Sequence, residues 1–328
     1  MSVLKKFFLP LIYSSLLLFS GSSCNKTPVL SLNYNTLTVA LGIKINNSFW
    51  TSQQIGYACG GERSSFGKIY KTINAGQTWN EVYTISDYTL YDICFVNDSI
   101  GYCCGQNFKM YYTTNYGQTW KNYNIEWMPL NYQNSSLRSL RKTGNRVLVV
   151  GGDNFNIGIS FPFAYDFFDY RYSHPDAELR GSVSFDNNKS SYLFGYGFVY
   201  KSTDTVKTYF PINLTNDFFT GCCSINSIGY ACGYDGGIYK STNAGANWEK
   251  IKSANMITKS RYHLNSILFT DELNGWCAGD EGLILKTSDG KTWSQIEFSG
   301  KQNLISVRKK NANTVVISTS NGELLEFN

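Results

Sequence analysis

A short motif that recurs along the chain constrains the fold more than any other feature. The clear copies are Thr72–Trp79, Thr113–Trp120 and Ser241–Trp248, each with an Asn, a Gly two positions later and a closing Trp. Thr287–Trp293 is one residue shorter, and Ser202–Tyr209 is degenerate. The closing aromatics recur about every 40 to 45 residues, except for one gap of about two periods, where a copy has lost its motif. This period predicts a repeat architecture whose units bury their apolar faces against each other.

A second motif, Gly-aromatic-x-x-Gly, precedes the first one with the same period. Clear copies are Gly56–Gly60, Gly101–Gly105, Gly229–Gly233 and Gly275–Gly279, and weaker forms are Leu148–Gly152, Tyr192–Gly195 and Thr314–Ser318. Together they give seven repeats. Repeats of this length with four short strands each are typical of β-propellers. We therefore predict an all-β fold, a seven-bladed β-propeller of four-stranded antiparallel blades.

One repeat shows the predicted strands in detail. Its strands are Asp92–Val96, Gly101–Cys104 and Lys109–Thr113, and Trp120 begins the fourth. At the motif between the third and fourth strands, an Asn or Asp side chain can accept hydrogen bonds from its own turn. The Gly permits a positive φ, and the Trp buries a large apolar surface between sheets.

The two ends of the chain are predicted to meet in one blade. Gly322–Phe327 is interpreted as a third strand with no fourth strand after it, and Thr36–Ala40 near the N-terminus can supply the missing one. Such closure leaves no sheet edge open. Residues 34–328 are thus predicted to form a single propeller domain.

The N-terminal residues have the pattern of a secretory leader. Lys5 and Lys6 precede an apolar stretch, Phe7–Phe19, which is short for a membrane-spanning helix. Small residues then precede Cys24, as in the lipobox of bacterial lipoproteins, although Gly21 stands where a Leu-like residue is commoner. We predict a lipoprotein signal peptide over 1–23, lipidation of Cys24, a tether over 24–33, and an exported protein anchored at the cell envelope. The alternative is an ordinary signal peptide cleaved nearby.

The first motif resembles the Asp-box, or BNR, repeat. Its pairing with Gly-aromatic-x-x-Gly resembles the photosystem II assembly and stability factor family, whose members are seven-bladed propellers that assist assembly of a membrane complex. The resemblance covers about residues 36–328 and implies a non-catalytic protein-binding role. The residues that match the structural Asp-box positions are Asn74, Gly76, Trp79, Asn115, Gly117, Trp120, Asp204, Asn243, Gly245, Trp248, Asp289, Gly290 and Trp293.

Asp boxes also occur in sialidases, so a glycan-binding or glycoside-hydrolysing propeller is the alternative. A glycosidase needs two suitably spaced carboxyl groups, and a sialidase needs three arginines around the substrate carboxylate. No arginine here lies in a sialidase-like context, and box residues such as Asp204 and Asp289 are structural in that family. We predict no catalytic residue. We also predict no metal site and no cofactor, since His174 and His263 are the only histidines and are interpreted as exposed loop residues.

The cysteine positions favour free thiols. Cys59, Cys104 and Cys232 occupy one repeat position and Cys103 and Cys277 its neighbour, as small apolar residues of inner strands would. A Cys94–Cys103 bridge across a hairpin is the alternative for an exported protein.

Basic residues outside the motifs suggest a binding face. Arg63 lies in a predicted loop between second and third strands, and Arg138 and Arg141 fall in an irregular stretch interpreted as a blade-to-blade connection. Lys259 and Arg261 lie in a third loop. These loop types share one face of a propeller, so the five residues are candidates for binding a protein partner at a membrane. The net charge of +5 is too small to indicate nucleic-acid binding.

The aromatic stretch Asn154–Arg180 interrupts the repeat. It is interpreted as an altered blade that covers its own core, with an aromatic docking surface as the alternative.

Overall fold

The computed structural model describes residues 27–123, 135–143, 146–152, 155–162, 170–175, 178–185, 190–203, 209–212, 214, 218–252 and 263–328. Over these residues the chain is an all-β propeller, and its one short 3-10 turn is Asp280–Gly282. No helix in the described part is long and apolar enough to cross a membrane.

Nearly every strand pairs with the strand that follows it, which gives six sheets of four strands and one of five. Two strands precede the first complete sheet: β1 (Val29–Leu30) and β2 (Tyr34–Thr38). The next three sheets are β3 (Ile45–Trp50), β4 (Gly56–Glu62), β5 (Phe66–Thr72), β6 (Asn80–Ser86); β7 (Leu90–Phe95), β8 (Gly101–Gly105), β9 (Met110–Thr113), β10 (Lys121–Asn122); and β11 (Leu137–Thr143), β12 (Arg146–Gly151), β13 (Phe155–Pro162), β14 (Tyr170–Pro175).

The second half of the chain continues the pattern. Its strands are β15 (Leu179–Phe185), β16 (Ser190–Gly195), β17 (Phe198–Ser202), β18 (Phe210–Ile212); β19 (Phe219–Ile225), β20 (Ile228–Gly233), β21 (Ile238–Ser241), β22 (Glu249–Lys252); β23 (Leu264–Phe269), β24 (Gly275–Gly279), β25 (Ile284–Thr287), β26 (Ser294–Ile296); and β27 (Leu304–Lys309), β28 (Val315–Thr319), β29 (Glu323–Phe327). The stretch 154–180 that interrupts the repeat supplies β13 and β14 to a four-stranded sheet, in line with the altered blade.

The N-terminal strand completes the last sheet, as the sequence predicts. β2 pairs antiparallel with β29, with Thr36 opposite Leu325, so the order of this sheet is β2-β29-β28-β27. The strand spans Tyr34–Thr38, two residues earlier than expected.

One sheet departs from the predicted four strands. β1 lies parallel to β26 at the outer edge of the β23–β26 sheet. The Gln295 N–H donates to the Pro28 carbonyl at 2.7 Å and the Glu297 N–H to that of Leu30 at 2.8 Å. Val29 and Leu30, which belong to the predicted tether, are therefore held within a sheet.

The sheets form a closed ring. In each sheet one strand, which we call the first strand, packs against the corresponding strands of the two neighbouring sheets. The first strands are β3, β7, β11, β15, β19, β23 and β27, and β27 packs against β3. Apolar side chains from two adjacent sheets fill each gap: Tyr57 and Ile69 of one sheet pack with Ile93, Phe95 and Trp120 of the next. The Tyr57 and Phe95 rings stack with their centroids 4.1 Å apart.

The Asp-box turns are held by their own side chains. In one of them the Gly117 N–H donates to Thr113 Oγ1 at 3.1 Å and the Thr119 N–H to Asn115 Oδ1 at 3.0 Å. The same pattern recurs around Asn74 and Asn243. Around Asp289, hydrogen bonds from Thr292 and Lys291 hold the pKa of the carboxyl well below its usual range. Asp204 lies outside the described residues.

Each box turn also contacts the preceding sheet. Tyr57 Oη and Lys71 Nζ each donate to the Tyr116 carbonyl at 2.7 Å. Gly117 has φ of +66°, and a Cβ at this position would overlap the Tyr57 ring. The turn between the first and second strands is hydrogen-bonded to the box turn, since the Tyr116 N–H donates to the Ser99 carbonyl at 3.1 Å. Both kinds of turn therefore lie on one face of the propeller, which we call the box face.

Within the described residues the structure has free thiols at Cys59, Cys94, Cys103, Cys104, Cys222, Cys223 and Cys277. The possible Cys94–Cys103 bridge is wrong, because Cys94 lies opposite Tyr102 and Cys103 opposite Ile93. Burial raises the pKa of Cys94 and Cys103, as expected for small apolar core residues.

We expect Gly117→Ala to lower the free energy of unfolding by about 3 kcal/mol, because the new methyl group meets both an unfavourable φ and the Tyr57 ring. Gly197→Ala is the matched control. Gly197 also has a positive φ, +82°, but its Cβ would meet no atom within 4 Å, so a loss of only about 1 kcal/mol is expected. Urea unfolding monitored by tryptophan fluorescence measures both. Equal losses would show that the Tyr57 contact does not matter.

Candidate functional site: a central mouth

The first strand of every sheet carries a β-bulge at its second residue. The register shifts around one residue at the start of each of these seven strands. The bulged residues are Asn46, Tyr91, Arg138, Arg180, Thr220, Asn265 and Ile305. A bulge re-aims a side chain relative to a regular strand. All seven line one central cavity.

A recurring hydrogen bond, which we call the bulge clamp, holds each bulge. In all seven sheets an N–H near or just after the end of the second strand donates to the carbonyl just before the first strand, at 2.8 to 3.1 Å. In the third sheet, for example, the Gly152 N–H donates to the Ser136 carbonyl. A Cβ on Gly60, Gly105 or Gly279 would collide with the clamp carbonyl of its own sheet, which explains the last Gly of these three Gly-aromatic-x-x-Gly copies.

The cavity, which we call the central mouth, has a volume of about 350 Å³ and is lined by the first strands of all seven sheets or the residues just before them. Because the clamps join the turns after second strands to the segments before first strands, the mouth opens on the face opposite the box face. We call it the mouth face.

Three cations lie at the rim of the mouth. Arg138 Nε and Arg180 Nη2 each lie 2.9 Å from Glu178 Oε1, so one carboxylate faces two guanidinium groups. Lys44 reaches solvent beside them and has no salt bridge within the described residues. Desolvation by the surrounding wall, then repulsion from Arg138 and Arg180, lowers the pKa of Lys44. An anion bound here would offset that repulsion.

The two rim arginines also rest on aromatic rings. The Arg138 guanidinium lies 4.1 Å from the Tyr91 ring centroid and that of Arg180 lies 4.7 Å from the Tyr196 centroid. These cation–π contacts position the flat groups against the wall of the mouth. A planar guanidinium that is held over an aromatic ring can bind a carboxylate through two parallel hydrogen bonds.

Deeper in the mouth lie two further arginines, one of which faces an acid. Arg141 Nη2 donates to the Cys222 carbonyl at 3.3 Å, and Arg308 Nη2 lies 4.0 Å from Asp92 Oδ1. Asp92 is buried, and its other oxygen accepts from the Leu140 N–H at 2.7 Å. Burial and the charge of Arg141 lower the pKa of Arg308 to about 10. The mouth thus has a positive interior that Asp92 neutralises only in part.

An aromatic shelf borders the cationic rim. Tyr196, Phe218 and Tyr234 contact one another edge to face, with centroids 5.4 to 6.5 Å apart. Phe218 is 53% exposed and Tyr234 is 39% exposed. Since Tyr196 also carries Arg180, the shelf and the rim form one continuous surface on which an apolar group beside an anion would fit.

His263 lies at the far end of the shelf. Its ring centroid is 3.9 Å from that of Tyr234, and its Nδ1 lies 3.1 Å from Asp280 Oδ2. His263 lies in the loop before β23, as predicted, and its side chain is 35% exposed, because the bulge clamp holds this segment against Asp280. His174 has no described side chain.

The structure brings together only some of the predicted partner-binding residues. Arg138 and Arg141 line the mouth, but they lie on the first strand β11 and not in a connecting loop. That prediction failed because the bulge breaks the alternating pattern of the strand. Arg63 lies on an exposed turn between β4 and β5 on the mouth face and does not line the cavity. Lys259, Arg261 and Cys24 lie outside the described residues.

Sequence reasoning missed Lys44, Arg180 and Arg308, as well as the aromatic shelf. A signal for the rim was present. An apolar residue, buried in every sheet, begins each first strand, and the bulged residue follows it directly: Ile45, Leu90, Leu137, Leu179, Phe219, Leu264 and Leu304. Aligning the repeats on this residue would have singled out Arg138 and Arg180.

The arrangement is suited to binding. The rim offers guanidinium and ammonium donors, and the shelf offers apolar area. Among the described residues no group of three or more His, Cys, Asp or Glu side chains could hold a metal ion.

A propeller with a polar central mouth is the class that the fold defines, and comparison with known proteins places it more closely. Residues 212–324 match the family model described as photosynthesis system II assembly factor YCF48. A search of curated protein sequences found no match. The predicted resemblance to YCF48-like BNR-repeat propellers is confirmed by this match together with the structural neighbours.

Three solved structures illustrate the likeness in fold. YCF48 bound to a D1 peptide has a TM-score of 0.71 at 17% identity, with 92% of this chain and 99% of that chain covered. YCF48 from Cyanidioschyzon merolae has a TM-score of 0.69 at 13% identity, covering 90% and 98%. The WD40 propeller domain of Doa1 has a TM-score of 0.69 at 11% identity, covering 90% and 97%.

We expect Asp92→Asn to lower the free energy of unfolding by about 3 kcal/mol, because it leaves Arg308 inside the mouth without its facing carboxylate. Asp98→Asn, on an exposed turn, serves as the control and should change stability by less than about 0.5 kcal/mol. Thermal unfolding followed by circular dichroism compares the two. A wild-type melting temperature for Asp92→Asn would contradict the assigned electrostatics.

Proposed function

We propose that this protein is a non-catalytic propeller that binds a carboxylate-bearing segment of a protein partner in its central mouth. The observation that carries the proposal is the cationic rim of Lys44, Arg138 and Arg180, in which one carboxylate, Glu178, is shared by the two arginines. The likeness to YCF48, one of whose solved structures contains a D1 peptide, supports a peptide as the bound species. The role is that of an assembly factor.

The setting that we propose is the cell envelope. Export and a lipid on Cys24 rest on the leader sequence alone. We further propose that the six four-stranded sheets and the five-stranded sheet are seven blades of one ring, with the mouth on its axis. The contacts between successive first strands support this count.

Rim substitutions test the proposal with a defined probe. The probe is a fluorescein-labelled peptide Gly-Phe-Asp-Glu-Gly, and its partner Gly-Phe-Asn-Gln-Gly lacks the carboxylates. We expect Lys44→Gln combined with Arg180→Gln to weaken binding of the acidic peptide at least tenfold, since a hydrogen bond to a charged group contributes about 1.5–3 kcal/mol. Fluorescence anisotropy at two salt concentrations measures affinity and its salt dependence.

Lys121→Gln is the control variant, because Lys121 is exposed on the outer strand β10. It should bind the acidic peptide as the unaltered protein does. Equal binding of the two peptides, or full binding by the double variant, would refute the cationic rim as the binding surface.

An acidic glycan is the second candidate, and the aromatic shelf beside the rim favours it, because sugar rings pack on exposed aromatic side chains. Sialyllactose in place of the peptide tests this candidate. Phe218→Ala should weaken glycan binding more than it weakens the peptide if the shelf holds a sugar. Turnover of a fluorogenic sialoside above that of a buffer blank would show that the protein is an enzyme.

A further inference from the structure

The strand β1 fixes the direction in which the N-terminal segment leaves the propeller. β26 begins directly after the box turn that ends at Trp293, so it runs from the box face towards the mouth face. β1 is parallel to β26, with Val29 opposite Gln295, and therefore runs the same way. β1 and the preceding Pro28 thus begin on the side of the box face.

The length of the chain before Pro28 limits where a lipid could lie. Cys24, outside the described residues, is four residues upstream of Pro28 and can be at most about 14 Å away. The five-residue strand β24, which crosses the same sheet from the box face to the mouth face, spans about 17 Å. The backbone of Cys24 can therefore reach a surface beside the box face, but it cannot reach the mouth face at the other end of the sheet.

We infer that the box face next to the β23–β26 sheet lies against a lipid bilayer and that the central mouth points away from it. The inference rests on the proposed lipid anchor. Two exposed apolar side chains suit this contact: Val29, 64% exposed at the outer edge of the sheet, and Leu273, 55% exposed on the turn between β23 and β24. The mouth is then presented to a partner's segment across the aqueous compartment, not to one lying in the membrane plane.

Two reporter positions near the same sheet test the orientation. Ser227 lies on an exposed turn of the box face, and Lys301 is exposed in the connection between β26 and β27 on the mouth face. Each is replaced singly by a coumarin-bearing amino acid in the lipidated protein, which is reconstituted into phosphatidylethanolamine–phosphatidylglycerol vesicles containing a lipid spin-labelled at its headgroup. We expect the spin label to quench the reporter at 227 at least twofold more than the reporter at 301. Equal quenching, or stronger quenching at 301, would overturn the inference.

A length control separates the tether from other causes. Twelve Gly-Ser residues inserted between Cys24 and Thr27 lengthen the reach well beyond the height of the sheet. The difference in quenching should then fall by at least half. An undiminished difference would show that the short tether does not set the orientation.

Failure of the lipid anchor is detected separately. Labelled palmitate should enter the unaltered protein and not Cys24→Ala. If neither is labelled, the anchor proposal fails. Orientation is then measured on protein whose Cys24 thiol has been coupled to maleimide-phosphatidylethanolamine, with the same two expected outcomes.

Discussion

The bulge clamp is the interaction on which the candidate site depends. It joins the end of the second strand to the carbonyl before the first strand in every sheet. In five of the seven sheets the residue before the donor is a glycine at which that carbonyl comes too close for a Cβ. The clamp forces one residue out of register, and the ring turns seven such residues towards one axis. The backbone arrangement at the bulge is the same in every sheet. The side chains at the bulged positions therefore decide which ligand the mouth can bind.

Four of those seven side chains show two different roles. Asn46 and Asn265 donate to the carbonyls of Leu90 and Leu304 in the neighbouring sheet, at 2.6 and 3.0 Å, and so tie the first strands together around the axis. Arg138 and Arg180 instead lie over aromatic rings and share Glu178. One side of the ring is thereby used for holding the strands in place, and the other presents charge to the cavity.

The sequence was sufficient for the architecture and insufficient for the site. The strands around Gly101 and Lys109 and the pairing of the N-terminal strand with Phe327 follow from period and turn chemistry, which are local properties. The position of Arg138 does not follow from local properties, because the alternating pattern of a strand does not reveal a bulge that is held by a distant carbonyl. Lys44 and Arg180 line the same cavity only because the ring closes, and the pairing of Val29 with Gln295 joins residues far apart in the chain. Such contacts leave no trace in the spacing of a single sequence.

The shared sheet of β2 and β29 has a consequence for how the molecule is made. β2 is among the first strands to be synthesised, yet its partner is the last, so it remains an unpaired edge while all the intervening sheets are produced. The gap between β27 and β3 stays open for the same interval, and with it the mouth. The finished binding surface therefore arises in a single late event, and a chain interrupted anywhere short of Phe327 has an arc of sheets without a functional centre.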